Sequence, residues 1–142
     1  MNVGFKKLVP EAILPTRAHP TDSGLDLYCI DNWNIMPHCW AIVKTGLSIQ
    51  LPLGYEGQIR PRSGLAAKYG VTVLNAPGTI DQNYTGPLNV ILINNGPTIA
   101  LIEKGDRIAQ LVIQKVEIFD PVEVTDIPET DRGAKGFGST GV

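Results

Sequence analysis

Cysteine is nearly absent from this chain: only Cys29 and Cys39 occur. Two thiols without spaced partners build neither a disulfide framework nor a metal site, so both are expected to be reduced, in a reducing compartment. Histidine is equally scarce. His19 and His38 stand apart with no neighbouring ligand types, which excludes a local metal or catalytic pair. No run approaches the roughly 18 uninterrupted apolar residues of a membrane span, and Met1–Lys7 carries no apolar stretch of the signal-peptide kind. The net charge is only −2, so general attraction to nucleic acid is excluded and any anion site has to be a local cluster of Arg and Lys. These absences predict a cytoplasmic protein with no membrane or nucleic-acid partner.

Hydrophobic residues make up 43% and charged residues 18%, a balance that folds rather than staying disordered. The 142 residues fit one domain. A domain of about 150 residues buries roughly 68–70% of its unfolded surface, so no staple is needed. Eleven prolines and fifteen glycines cut the chain into apolar runs too short for ordinary helices. Leu88 to Ile93, Ile108 to Ile113 and Ala41 to Gln50 are rich in Val, Ile and Leu and read as strands. Turn signals separate the runs at Pro52-Leu53-Gly54, Asn95-Gly96-Pro97 and Lys104-Gly105-Asp106. Many short strands with regular breaks predict an all-β sandwich or jelly roll. One short helix is expected over Ser63–Gly70, with Ser63 as N-cap and Gly70 as its stop. Trp33 and Trp40 read as core or interface residues. No internal repeat is visible. The stretch from Pro128 to Val142 is polar and Gly-rich, and is expected to be a mobile arm following a body of residues 1–127.

The arm contains a near-match to a phosphate loop, with Gly133 and Gly138 correctly spaced. Ser139 stands where the lysine belongs and no helix can follow, so that motif fails. Its glycines could still curl backbone N–H groups around phosphate oxygens. Arg60 and Arg62 flank Pro61 beside the predicted helix, where they suit either an anion or surface ion pairs. The segment Asn75–Gly86 reads as a β-turn-β ribbon bent at Pro77 and its glycines. Asp81 and Tyr84 lie three residues apart in it, so one bend can bring a carboxylate and an aromatic ring to one pocket, although from this segment alone a purely structural turn is the favoured reading.

Taken together, these pieces resemble the five sequence motifs of the trimeric dUTPases. In order they are Ser23-Gly24-Leu25-Asp26-Leu27-Tyr28; Pro61-Arg62-Ser63-Gly64-Leu65-Ala66; Gly78-Thr79-Ile80-Asp81 with Tyr84 and Gly86; Gly105-Asp106-Arg107-Ile108-Ala109-Gln110-Leu111; and Arg132-Gly133 followed by Gly136-Phe137-Gly138-Ser139-Thr140-Gly141. Any one is weak, but five in order over nearly the whole chain are specific. The departures are small: Ser23 and Leu25 in the first motif, Pro77 and Thr79 around the third.

The resemblance implies a jelly-roll subunit in a homotrimer with shared sites, hydrolysing dUTP to dUMP and pyrophosphate with Mg²⁺. Such an activity limits uracil incorporation into DNA and supplies dUMP for dTMP synthesis. Asp81 is implied as the base that activates the attacking water. Tyr84 would pack on the deoxyribose and reject a 2′-hydroxyl. The Asn75 side chain and the Ala76 N–H would read the uracil edge, within a narrow ribbon that includes Gly78, Thr79 and Ile80. Arg62, Ser63 and Gly64 would contact phosphate, and Gln110 with Asp26 would orient Arg62 or the waters around Mg²⁺, which takes no direct protein ligand. Arg132 would bind the terminal phosphate, Phe137 would stack over uracil, and Gly138, Ser139 and Thr140 would complete the closed arm. Asp106 and Arg107 are expected in structural roles.

Two rivals are weighed against this. A dCTP deaminase on the same fold needs a glutamate ten residues after Asp81, where Ile91 stands and cannot move protons. A non-catalytic binding or regulatory role conflicts with the intact set of base, ring and arginines.

Overall fold

The structure, a computed structural model, describes residues 2–136. Among them the short apolar runs form ten strands and one helix, in the order β1 Gly4–Lys7, β2 Leu25–Tyr28, β3 Trp33–Ile35, β4 Trp40–Gln50, β5 Tyr55–Arg60, α1 Ser63–Tyr69, β6 Val71–Val73, β7 Gly78–Ile80, β8 Pro87–Asn94, β9 Ala100–Ile102 and β10 Arg107–Lys115. One sheet has the order β1-β4-β8-β6, a second β2-β10-β5-β7, and β3 pairs with β9. Every pairing is antiparallel. From β4 to β8 each connection passes from one large sheet to the other. That crossing makes the body jelly-roll-like and sets its turns at the sheet ends.

Alternation fills the space between the sheets. Strand β8 buries Leu88, Val90, Leu92 and Asn94 and turns Asn89, Ile91 and Ile93 the other way. Leu27, Leu47, Ile49, Ile108 and Leu111 are fully buried against them. Burying each such side chain contributes about 1.5–3 kcal/mol. Strand β4 changes phase where its register to β8 shifts between Lys44 and Leu47. Gly46 sits at the shift with φ of 69°, and a Cβ there would meet Val9 at 2.8 Å, so only glycine fits. Buried Asn94 is fully satisfied: its Nδ2 donates to the Ile35 and Thr98 carbonyls at 2.8 and 2.7 Å, and its Oδ1 accepts from the Gly96 N–H at 2.9 Å.

Two local expectations change. Ser63 is the first helical residue rather than the N-cap; Arg62 holds the cap position in extended conformation, without a side-chain capping bond. The Arg62 side chain is drawn instead to Asp26, 3.1 Å away. The helix does stop at Gly70, whose φ of 67° is left-handed and whose N–H donates to the Ala66 carbonyl at 3.1 Å. The Asn75–Gly86 segment is not a simple ribbon. Strand β6 before it pairs with β8, whereas β7 pairs with β5 in the other sheet, so the segment crosses between sheets and returns. Three-residue strands cannot bury both faces as a free hairpin, and each takes a longer partner.

The last strand ends at Lys115. From Glu117 to Gly136 the chain is exposed and forms neither helix nor strand. Among the described residues no helix is long and apolar enough to cross a membrane.

Candidate active site

Two clefts hold the predicted residues, one on the second sheet and one between β7, the turn after it and the outer face of β4 and β8 in the first sheet. In the first, Asp26 on β2 and Gln110 on β10 face each other across the strand pair. Asp26 is mostly buried; its Oδ1 accepts from Arg62 Nε at 3.1 Å and its Oδ2 from Arg107 Nη1 at 3.4 Å. Arg62 Nη1 also donates to the Arg107 carbonyl at 3.1 Å. Gln110 Nε2 donates to the Pro61 carbonyl at 2.8 Å, fixing the chain just before Arg62. Gly24 makes room for this, because a side chain there would run into Gln110. Ser63 and Gly64 complete the wall at the start of α1. The first bond of that helix is Ala66 N–H to the Arg62 carbonyl, which leaves the N–H groups of Ser63, Gly64 and Leu65 without partners inside the helix. The cleft holds about 350 Å³ and is also lined by Ala18, Asp22 and Ser23. Arg62 and Arg107 are offset by Asp22 and Asp26, so the lining is formally neutral, and a highly charged anion would need a further cation.

The second cleft is built on the turn after β7. The Tyr84 N–H donates to the Asp81 carbonyl at 3.0 Å, closing the turn. The Tyr84 hydroxyl donates to the Pro87 carbonyl at 2.9 Å. The turn is pinned on both sides: Ser48 Oγ donates to the Thr85 carbonyl, and the Gly54 N–H to Gln82 Oε1, each at 2.7 Å. The Asp81 carboxylate is exposed and, among the described residues, accepts no hydrogen bond and pairs with no cation. It shares a cleft of about 290 Å³ with Thr79, Ile80, Tyr84, Pro87, Asn89, Ile91 and Ile42. Asn75 lies against Gly78, and the Ala76 N–H donates to the Val73 carbonyl at 3.2 Å.

The predicted residues are therefore divided. Asp26, Arg62, Ser63, Gly64 and Gln110 share one cleft; Thr79, Ile80, Asp81 and Tyr84 share another; neither lining contains a member of the other set. Arg132 sits in neither, its Nε donating to the Lys135 carbonyl at 3.1 Å in a local turn. Phe137, Gly138, Ser139 and Thr140 lie outside the described residues. Arg60 does not join Arg62: it shares a face of β5 with Gln58 and Glu56 and donates to Gln58 Oε1. Arg107, expected in a structural role, pairs with Asp26 and also lines the first cleft. The signal was available in part, because Arg107 directly follows the Gly105-Asp106 turn. That its strand pairs with β2 was not.

Cys29, at the foot of β2, anchors the loop leading to Arg107. Its Sγ donates to the Glu103 carbonyl at 2.8 Å, its N–H to the Asp106 carbonyl at 3.0 Å, and its carbonyl accepts from Gly105 at 2.9 Å. Burial pushes the Cys29 thiol up, backbone N–H groups at Asp106 and Gly105 oppose this, and the Asp106 carboxylate adds to it.

A family model described as dUTPase matches residues 10–141. The chain is 51% identical over 141 residues to the deoxyuridine 5′-triphosphate nucleotidohydrolase of Picosynechococcus, covering 99% of both chains. It is 52% identical over 143 residues to that of Hydrogenobaculum, covering 100% of this chain and 99% of the relative. Among solved structures it resembles the Staphylococcus bacteriophage 80alpha dUTPase with dUpNHpp, at TM-score 0.92 and 30% identity over 99% of each chain. A phage phi11 dUTPase variant, described with a coordinated structural Mg(II) ion, shares the fold at TM-score 0.83 and 24% identity, over 91% of this chain and 100% of that one.

Proposed function

The chain belongs to the dUTPase family, and from that premise we propose that it hydrolyses dUTP to dUMP and pyrophosphate by attack of an Asp81-held water on the α-phosphorus. One observation carries the assignment of the base. Asp81 is the carboxylate of its cleft and, among the described residues, it has no partner to satisfy or neutralise it. A carboxylate without a partner can hold a water and take its proton. The Tyr84 ring beside it packs on the deoxyribose and leaves no space for a 2′-hydroxyl. Asn75 and the Ala76 N–H read the uracil edge, with Gly78, Thr79 and Ile80 forming the wall that excludes a thymine methyl. The Ala76 N–H has to exchange its Val73 partner for the base.

The phosphates are read into the arginine cleft. Arg62, Ser63, Gly64 and Gln110 hold the triphosphate, and Asp26 keeps Arg62 and Arg107 in place. The formally neutral lining leaves room for two added sources of positive charge. One is Arg132, carried in by the arm of residues 128–142, with Phe137 closing over uracil and Gly138, Ser139 and Thr140 over phosphate. The other is Mg²⁺, which spreads the phosphate charge when bound. The ion would be held by the substrate phosphates, with Asp26 and Gln110 reaching it through water. Because the base and the arginines line separate clefts, a working pocket is best formed between copies, as in a homotrimer. Trp40 and Ile42, exposed on the outer face of the first sheet, give copies an apolar surface to cover. In this role the protein limits uracil incorporation into DNA and supplies dUMP for dTMP synthesis, in the cytoplasm.

The test is pyrophosphate release from dUTP, UTP, dTTP and dCTP. UTP and dTTP should be at least about 10²-fold poorer, each meeting a steric clash. Comparable turnover of dTTP would overturn this reading of the pocket.

A further inference from the structure

Gly86 is part of the third motif, yet the mechanism above gives it nothing to do. Its φ lies outside the left-handed region, so glycine is not required there by backbone conformation. Contact is the reason instead. A Cβ at Gly86 would stand 2.6 Å from the Tyr84 hydroxyl oxygen, 2.8 Å from Cζ and 3.0 Å from Cε2. The end of the Tyr84 ring thus rests directly on the Gly86 backbone. From there its hydroxyl donates to the Pro87 carbonyl at 2.9 Å, one residue further on.

The surrounding backbone cannot yield easily. The Thr85 carbonyl is held by Ser48, the Gln82 side chain by the Gly54 N–H, and Tyr84 N–H by Asp81. A methyl group at position 86 would therefore displace the ring: Tyr84 is 41% exposed, which leaves room outward once its bond to the Pro87 carbonyl is broken.

We propose that Gly86 is a positioning residue for sugar selection: its bare backbone is the seat on which the Tyr84 ring is set, and the hydroxyl bond to Pro87 locks it there. The inference rests on the reading of Tyr84 as the group that rejects the 2′-hydroxyl. The seat sets how far the ring protrudes over the sugar. Tyr84 as a residue supplies the bulk; Gly86 supplies its angle.

The experiment measures kcat/KM for dUTP and for UTP in the full chain carrying Gly86→Ala, Tyr84→Phe, both together, and Tyr84→Ala. Folding of each is checked by its thermal midpoint. Gly86→Ala should fold and narrow the dUTP-over-UTP preference about tenfold, part of a steric discrimination of order 10². Tyr84→Phe should narrow it less. It also removes the oxygen nearest the new methyl, so the double variant should discriminate better than the two separate losses multiplied together. Tyr84→Ala separates the premise from the inference. If it leaves the preference intact, the ring does not select the sugar and the underlying reading fails. If it abolishes the preference while Gly86→Ala preserves it, the seat does not position the ring and this inference fails. A Gly86→Ala protein that loses activity on both nucleotides equally, with no coupling to Tyr84→Phe, overturns it too, because the glycine would then serve the turn rather than the ring.

Discussion

The arginine cleft on the second sheet and the Asp81 cleft beside the first hold their side chains in opposite ways. In the arginine cleft the central side chains are tied to other elements: Asp26 of β2 to Arg62 and Arg107, and Gln110 of β10 to the Pro61 carbonyl. In the Asp81 cleft the backbone is pinned and Tyr84 is locked, but the carboxylate itself is left free. The difference separates binding from chemistry. Groups that grip a fixed anion gain from being preorganised by partners. A base that must take a proton loses its capacity if a cation or donor already satisfies it.

The strongest way to break this comparison is to neutralise the free carboxylate. Asp81→Asn should lower kcat by about 10²–10⁴, the usual worth of a general base. Isothermal titration with a non-hydrolysable dUTP analogue should show binding retained, since the amide keeps the shape and removes a repelling charge. Near-normal kcat would mean that the free carboxylate is not the base.

Removing the positive charge carried by the arm comes next. Arg132→Ala should cost about 2–4 kcal/mol of transition-state stabilisation, read from kcat/KM, if it acts like other donors aimed at developing charge. Deletion from Arg132 onward should do at least as much while leaving the thermal midpoint of the body unchanged, because Glu117–Gly136 buries nothing. Mixing this truncation with Asp81→Asn under subunit exchange sharpens the point. If base and arm come from different copies, about a quarter of pockets in an equal mixture should revive. Activity fixed at the level of the separate mutants, despite proven exchange, would place both on one chain.

A smaller effect is expected on the preorganised side. Asp26→Asn releases two arginines that are partly solvated, so the charge-assisted bonds lost are worth about 1 kcal/mol and kcat/KM should fall about five- to tenfold. The loss should appear mainly in KM for dUTP, with UTP and dUTP affected alike. A large change in the dUTP-over-UTP preference would show that the clefts are not separate in role.

The smallest concerns the anchor beneath that cleft. Burial pushes the Cys29 thiol above its ordinary value, so the folded state favours the protonated form. Its contribution to stability is fully present below that value and is lost as pH rises through the folded pKa. Thermal midpoints across the alkaline range should fall more steeply for the natural protein than for Cys29→Ala. Parallel slopes would show that the thiol titrates as it does unfolded.

Some of this was legible beforehand. Turn residues and short Val, Ile and Leu runs located strands such as β4, β8 and β10, because local propensity and hydrophobic spacing act over a few residues. Gly70 marked the helix end for the same reason. Ser63 misled as a cap because the competing attraction comes from Asp26, thirty-six residues away in the chain. Arg60 and Arg62 looked alike in sequence, yet one joins a polar ladder along β5 and the other enters the cleft. Arg107 was undervalued since its pairing with β2 cannot be seen from its neighbours.

Sequence alone determined the fold class and the family, since five ordered motifs and a period of two are written in local residues. Only the tertiary structure decided the sorting: which strands pair, that the Asn75–Gly86 segment spans two sheets, and that the arginines and Asp81 line separate clefts. The physical reason is that antiparallel pairing is chosen by burial of whole faces across distant strands. That choice is settled by the summed packing of the core, and no single segment contains it.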